Sequence, residues 1–247
     1  MGSTGRRSRR PVVTLGMLSV AMLVLATCGD DGDQAATVPG DIGVDPASLS
    51  PVVDHPLVAL AQVRRTVYEG TEIDGDEEIA IRVESTVEDT KSLAGAEVRV
   101  VRVLDYEDGE LVEETEDYYA QDAGGAVYYL GEAVDEYDGG ELTGHGGEWL
   151  AGEDGALAGV FMPTKPKVGD EFEQERAPGV AEDESKVVAV DVKVSVPAGT
   201  FEGCIETQDL DPIDDVTESK WYCPDVGLVK EAFAEGGTLE LIELERT

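Results

Sequence analysis

Basic residues are scarce in this chain. Its 247 residues hold 18 Lys and Arg against 54 Asp and Glu, a formal net charge of −36. Four of those basic residues, Arg6, Arg7, Arg9 and Arg10, crowd the first ten positions, so the remainder carries 14 basic residues and a net charge of about −40. A polyanion meets repulsion from such a body, which excludes nucleic acid as a partner. Anionic lipid headgroups repel it in the same way. Histidine is rarer still: His55 and His145 are the two, too few for a transition-metal site without carboxylate help. The chain has no Gly-x-Ser-x-Gly nucleophile turn and no EF-hand loop, with its alternating acids, sixth-position glycine and twelfth-position glutamate. No cofactor is expected.

Long apolar runs are also missing, with one exception at the start. Pro11 to Ala26 follows the basic segment and leads into Leu25-Ala26-Thr27-Cys28-Gly29. A positive segment, a short apolar core and small residues before a cut have the pattern of a secretory signal, removed from the mature chain. The cut context resembles a bacterial lipobox, with Thr27 where Gly, Ala or Ser is usual. Ser8-Arg9-Arg10-Pro11-Val12-Val13 is similar to a twin-arginine export signal, so either export route stays open. The resemblance to a lipobox implies a signal peptide over 1–27 and a lipidated Cys28, which places the protein on the extracytoplasmic face of the bacterial cell membrane. The alternative, a permanent span, is short of the roughly 20 apolar residues needed.

From Gly29 to Pro51 the chain is small, acidic and proline-punctuated, so 28–54 is expected to be a disordered tether. Beyond it lies one domain, 55–247, in which alternation with period two dominates. Ile79, Ile81, Val83 and Val87 share one strand face, and Val188 through Val196 repeat the pattern. Turn chemistry recurs at Asp74-Gly75, Asp108-Gly109, Gly124-Gly125, Asp138-Gly139-Gly140, Asp154-Gly155 and Gly236-Gly237. The alternation slips at Val100-Val101 and at Leu241-Ile242, where bulges would bend a sheet. The expected fold is mainly β: a curved antiparallel meander sheet or open barrel of ten or more strands. His55 to Arg64 is the one helix candidate.

Val194-Ser195-Val196-Pro197-Ala198-Gly199-Thr200-Phe201, followed by Lys220-Trp221-Tyr222-Cys223-Pro224-Asp225-Val226-Gly227-Leu228-Val229-Lys230, resembles the exported bacterial β-proteins that include the TapB-like group. Val67-Tyr68-Glu69-Gly70, Asp117-Tyr118-Tyr119-Ala120-Gln121-Asp122 and Met162-Pro163 extend the similarity over most of the exported domain. The resemblance implies an antiparallel β-domain akin to periplasmic lipoprotein carriers, and no established reaction. Cys223 and Asp225 stand where that group often has Ala and Gly. On their own chemistry, Pro197 sets φ for a turn, Gly199 is expected to be left-handed, and Pro224 with Gly227 makes a kink between strands. All four are architectural.

Once Cys28 is acylated, Cys204 and Cys223 remain as an even pair in an oxidising compartment, which points to a disulfide. Pairing two strands symmetrically about the acidic loop Asp209 to Asp215 sets them directly opposite each other. That loop and Asp74 to Glu78 offer oxygens to Ca2+, but in so acidic a chain they read as solvated loops. Tyr118, Tyr119, Tyr128, Tyr129, Trp149, Trp221 and Tyr222 are candidate walls of a ligand groove. The expected function is a non-enzymatic, lipid-anchored protein binding an apolar ligand or an envelope partner. The alternatives are an acidic interaction module, Ca2+-dependent or not, and a carboxylate-dependent hydrolase. Replacing Cys28 with serine is expected to move the protein from the membrane fraction to the soluble fraction, with an unchanged β circular dichroism spectrum.

Overall fold

The computed structural model describes residues 40–247, so Cys28 and the 1–27 segment lie outside the described residues. One continuous antiparallel sheet holds fifteen strands. After a single 3-10 turn at Pro46–Ser48 they are β1 (Leu49–Ser50), β2 (Val63–Asp74), β3 (Glu77–Leu93), β4 (Ala96–Glu107), β5 (Glu110–Asp122), β6 (Val127–Asp138), β7 (Glu141–Gly144) and β8 (Trp149–Leu150). There follow β9 (Gly159–Met162), β10 (Glu171–Glu173), β11 (Glu184–Val196), β12 (Gly199–Asp211), β13 (Val216–Cys223), β14 (Gly227–Ala232) and β15 (Gly237–Arg246).

The order is β10-β11-β12-β13-β14-β15-β2-β3-β4-β5-β6, with β7, β8 and β9 laid in turn along the far edge of β6. Chain neighbours are sheet neighbours throughout the long strands, except where C-terminal β15 pairs with N-terminal β2. The turns predicted from Asp-Gly and Gly-Gly pairs fall between strands paired with each other, except Asp154-Gly155, which lies between β8 and β9, both paired with β6. Asp108 and Gly109, with φ of 48° and 84°, close the β4–β5 hairpin.

Two bulges predicted from the slipped alternation are present. At the first slip Val87 faces Val101 and Thr90 faces Arg99, so the extra residue lies on β3 opposite Val100 and not on β4, while Val100 and Val101 are both buried. On β15 the register shifts between Leu241 and Glu243. Each extra residue bends its strand and increases local twist, and the sheet curls until its two ends meet. The ladder is not continuous across that seam between β9 and β10. There, Leu157 N donates to Arg176 O at 2.9 Å and Gln174 Nε2 donates to Phe161 O at 3.3 Å. The result is an open barrel.

The valine alternation on β11 departs from expectation. Val187 faces the core, while Val190 is 42% exposed. Asp191, at φ 56°, sits in a stretch with three register shifts that return Val194 to the buried side.

Residues 40–54, expected to belong to the tether, are packed against the barrel. Ile42 and Val53 are each 1% exposed, and β1 pairs with β5. Backbone bonds from Gly40 N to Gly152 O and from Ala158 N to Ile42 O tie this stretch down. Its apolar residues are sparse, but Ile42 and Val53 are fully packed against the barrel, and burying one such side chain is worth about 1.5–3 kcal/mol. The domain therefore includes residues 40–54.

The helix expected over His55 to Arg64 is absent. Pro56 lacks a backbone donor, His55 Nδ1 accepts the Leu57 N–H at 3.1 Å, and Ala61 N turns outward to Val53 O. The segment becomes a series of turns, with Leu57, Val58 and Ala59 buried, and straps across one barrel mouth before β2 begins.

At the seam, a Cβ on Gly159 would come within 1.9 Å of the Gln174 carbonyl oxygen. Gly159→Ala is expected to part the seam and cost about 1–3 kcal/mol, as overpacking typically does. A lowered urea midpoint would show it.

Candidate functional site

The inward faces of the strands run from apolar to acidic along the barrel. On β4, Val101 and Val103 are followed in phase by Asp105, which is fully buried. On β13, Tyr222 is followed by Lys220 and Glu218. On β12, Ile205 is followed by Thr207, Asp209 and Asp211. Glu113 and Asp117 of β5, Glu132 of β6, Glu231 of β14, and the loop residues Glu175 and Asp183 add to the buried acids. The strap end is walled by rings and aliphatic chains. The opposite mouth opens on a cavity of about 90 Å³ between Glu72, Glu107, Glu218 and Phe233.

Beneath the strap lies a cavity of about 80 Å³ walled by Tyr68, Tyr119, Phe161, Tyr222 and Val103, with the Asp117 carboxyl among its lining groups. The rings interlock: Tyr119 lies 4.9 Å from Tyr129 and 5.0 Å from Phe161, and Phe161 meets Tyr222 edge-on at 6.2 Å. Thr115 Oγ1 donates to Asp117 Oδ1 at 3.1 Å, and Tyr129 Oη to the same oxygen at 3.3 Å. Tyr119 Oη donates to Oδ2 at 3.4 Å. Burial pushes the Asp117 carboxyl up to about 7, against the pull of these hydroxyls. It can hold or release a proton near neutrality.

Deeper in, Lys220 Nζ stands 3.5 Å from Asp209 Oδ2 and 3.5 Å from Glu231 Oε1. Ser185 Oγ donates to Asp209 Oδ1 at 2.7 Å, and Trp149 Nε1 to Glu175 Oε1 at 3.4 Å. Burial pulls the Lys220 ammonium down, but Glu231 and Asp209 outweigh it and hold the group charged. Both oxygens of Asp105 are buried without a hydrogen-bond partner. Each unpaired buried ion costs several kcal/mol, which disfavours the charged form of acids without a partner. Burial, then neighbouring acids, raise Asp105, Glu132 and Glu175 well above the usual carboxylate range.

The site residues expected from sequence lie around this interior. Cys204 and Cys223 form a disulfide, with Cα atoms 4.1 Å apart. The register from Ile205 opposite Tyr222 to Asp211 opposite Val216 sets them face to face across the predicted loop centre. Closing a loop of this length contributes roughly 3 kcal/mol.

Pro197 and Ala198 make the β11–β12 turn. Gly199 opens β12 opposite Val196 at φ 152°, a positive value that side chains rarely adopt, so the position calls for glycine although it lies outside the left-handed helical well near roughly +57°. Ala198 N donates to Leu241 O at 3.0 Å, so the hairpin tip is tied to the β15 bulge. Pro224 begins the β13–β14 turn and Gly227 ends it, at φ 94°. Asp225 takes φ 63°, a left-handed position that Asp tolerates in place of Gly.

Of the expected aromatic walls, Tyr119, Tyr129, Trp149 and Tyr222 converge, joined by Phe161. Tyr118 instead bonds Lys91 at 2.8 Å, and Lys230 sits 5.9 Å over Trp221. Asp209 and Asp211, read from sequence as solvated loop residues, point inward and are 4% and 6% exposed. Among the described residues no three His, Cys, Asp or Glu side chains converge as metal ligands. No described helix is long and apolar enough to cross a membrane.

No family model matches the chain, and no curated protein matches it in sequence. Solved structures align with it at 12% identity. One, from Bacteroides fragilis, is described as an exported protein with a YmcC-like fold; it has a TM-score of 0.43 over 73% of this chain and 94% of its own. A protein from Parabacteroides distasonis described as a lipoprotein aligns with a TM-score of 0.40 over 77% and 99%. A β-barrel-like protein of a domain of unknown function, DUF1849, from Brucella abortus aligns with a TM-score of 0.43 over 75% and 99%.

The interior acids set the pH dependence of stability. Burial, the leading cause in each, lifts Asp117, Asp183 and Glu72 to about 7. Between their ordinary values near 4 and this point the folded chain binds more protons than the unfolded one, so stability falls as pH rises. Tm is expected to be roughly 5–10 °C higher at pH 5.5 than at pH 8, which at about 2–4 °C per kcal/mol corresponds to a few kcal/mol. Thermal melts across that range would show it, with a shallower slope in Asp117→Asn.

Proposed function

We propose that this is a non-catalytic binding protein, held on the extracytoplasmic face of the bacterial cell membrane by an acylated Cys28, that receives a small apolar group in the mouth of its barrel. The pocket under the strap carries this reading: ring and aliphatic walls enclose it, as in most small-molecule sites. The basic segment, the apolar run and Cys28 support the address, and the Cys204–Cys223 bridge suits an oxidising compartment.

Size narrows the ligand. A dry engineered cavity of about 150 Å³ accepts benzene, and the pocket here holds about half that volume. A branched terminal group of four or so heavy atoms fits, while an acyl chain of membrane length does not enter without the strap moving.

Methyl NMR of the mature domain titrated with 3,3-dimethyl-1-butanol tests the reading. Saturable shifts at Val103, Leu57 and Leu228, lost in a pocket-filling Val103→Phe variant that keeps its β spectrum, are the expected result. The absence of saturable shifts with both this alcohol and its trimethylammonium counterpart, choline, would overturn it.

A further inference from the structure

The pocket is not purely apolar. The Asp117 carboxyl lies among its lining groups, 3% exposed, with hydroxyl donors from Thr115, Tyr119 and Tyr129. Among the described residues it meets no ammonium or guanidinium. The other titratable groups facing it are acids and phenols: Glu132 is its cross-strand partner on β6, and Asp105 lies nearby on β4. Lys220, the buried cation, is engaged with Asp209 and Glu231.

A carboxylate without a counter-ion, beside the rings of Tyr68, Tyr119, Phe161 and Tyr222, is the arrangement that attracts an organic cation. Ring faces draw an ammonium through their quadrupole, more strongly when water is excluded, and aromatic pockets select quaternary ammonium groups on this basis. The carboxylate adds a full opposite charge in a low-dielectric setting.

Two guanidiniums at the mouth carry positive charge, and both are already engaged. Arg64 pairs with Glu245 at 3.1 Å, and Arg65 with Glu84 at 2.7 Å and Glu243 at 3.4 Å. Arg82 shares Glu84 and pairs with Glu69 as well, so three cations among four carboxylates leave this network net negative. The strongly acidic body around it draws cations from solution toward the cleft.

From this geometry we infer that the ligand received under the strap is an alkylammonium, a tertiary or quaternary amine whose methylated head lies against Tyr68, Tyr119, Phe161 and Tyr222 with Asp117 as its counter-ion. The inference rests on the apolar-pocket reading above and adds charge to it. The cavity volume matches a trimethylammonium head, the charged counterpart of a tert-butyl group, with the rest of the molecule leaving past the strap.

Choline and 3,3-dimethyl-1-butanol, equal in shape and different in charge, separate the two claims. Isothermal titration of the mature domain at pH 7.5 and moderate salt is expected to show choline binding at least tenfold more tightly than the alcohol. In Asp117→Asn, choline affinity is expected to fall at least tenfold while the alcohol changes less than about twofold, which also shows that the variant is folded. Tyr222→Leu is expected to weaken choline more than the alcohol. Equal binding of the two probes, or an Asp117→Asn variant that binds choline normally, would overturn the ammonium inference and leave the apolar pocket standing. Binding of neither probe would overturn both.

Discussion

The cost of keeping charge out of water governs this molecule. Curling an antiparallel sheet into a barrel gives every strand an inner face, and here much of that face is carboxyl rather than hydrocarbon. Asp105, Asp117, Glu132, Glu175, Asp209 and Glu231 share the interior with one ammonium, that of Lys220. They cannot all be ionised together in a low-dielectric space. The fold instead depends on protons, on hydroxyls from Thr115, Tyr119, Tyr129 and Ser185, and on Lys220 as a central counter-charge.

The same constraint sorts the barrel along its length. At the strap end, hydrocarbon and rings fill the section, and Asp117 is held by three hydroxyl donors. At the other end Glu72, Glu107 and Glu218 approach a mouth where water can reach some of them. The cavity at the strap end thus presents a largely apolar wall with one acid, in a protein whose overall charge is also strongly negative. That combination of local apolarity and surrounding negative charge is what distinguishes the pocket from an ordinary core void.

Much of the fold was legible in the sequence because strands announce themselves by period. The face of Ile79, Ile81, Val83 and Val87, the Asp-Gly and Gly-Gly turns, and the slips at Val100-Val101 and Leu241-Ile242 all correspond to structural features. The bridging of Cys204 and Cys223 followed from symmetry about a loop. Less was legible where a few residues depend on distant partners. Ile42 and Val53 lie in an acidic, proline-broken stretch, and only the barrel surface gives them somewhere to go. The pocket residues were partly visible as aromatics, but Asp117 was hidden among 54 acids. The signal that could have found it is phase: Asp105 continues the buried face of Val101 and Val103, and Asp209 continues that of Ile205 and Thr207. An acid that keeps step with an apolar stripe is inward-facing by geometry, however polar its chemistry.

The seam gives the barrel an adjustable circumference. A laddered closure would fix the diameter through a row of backbone bonds, whereas the meeting of β9 and β10 is spanned by the Leu157–Arg176 bond and the Gln174–Phe161 contact. Phe161 is at once a wall of the pocket and a partner in that seam. Its ring bounds the cavity while its backbone carbonyl accepts the Gln174 bond, so one residue belongs to both the pocket wall and the closure.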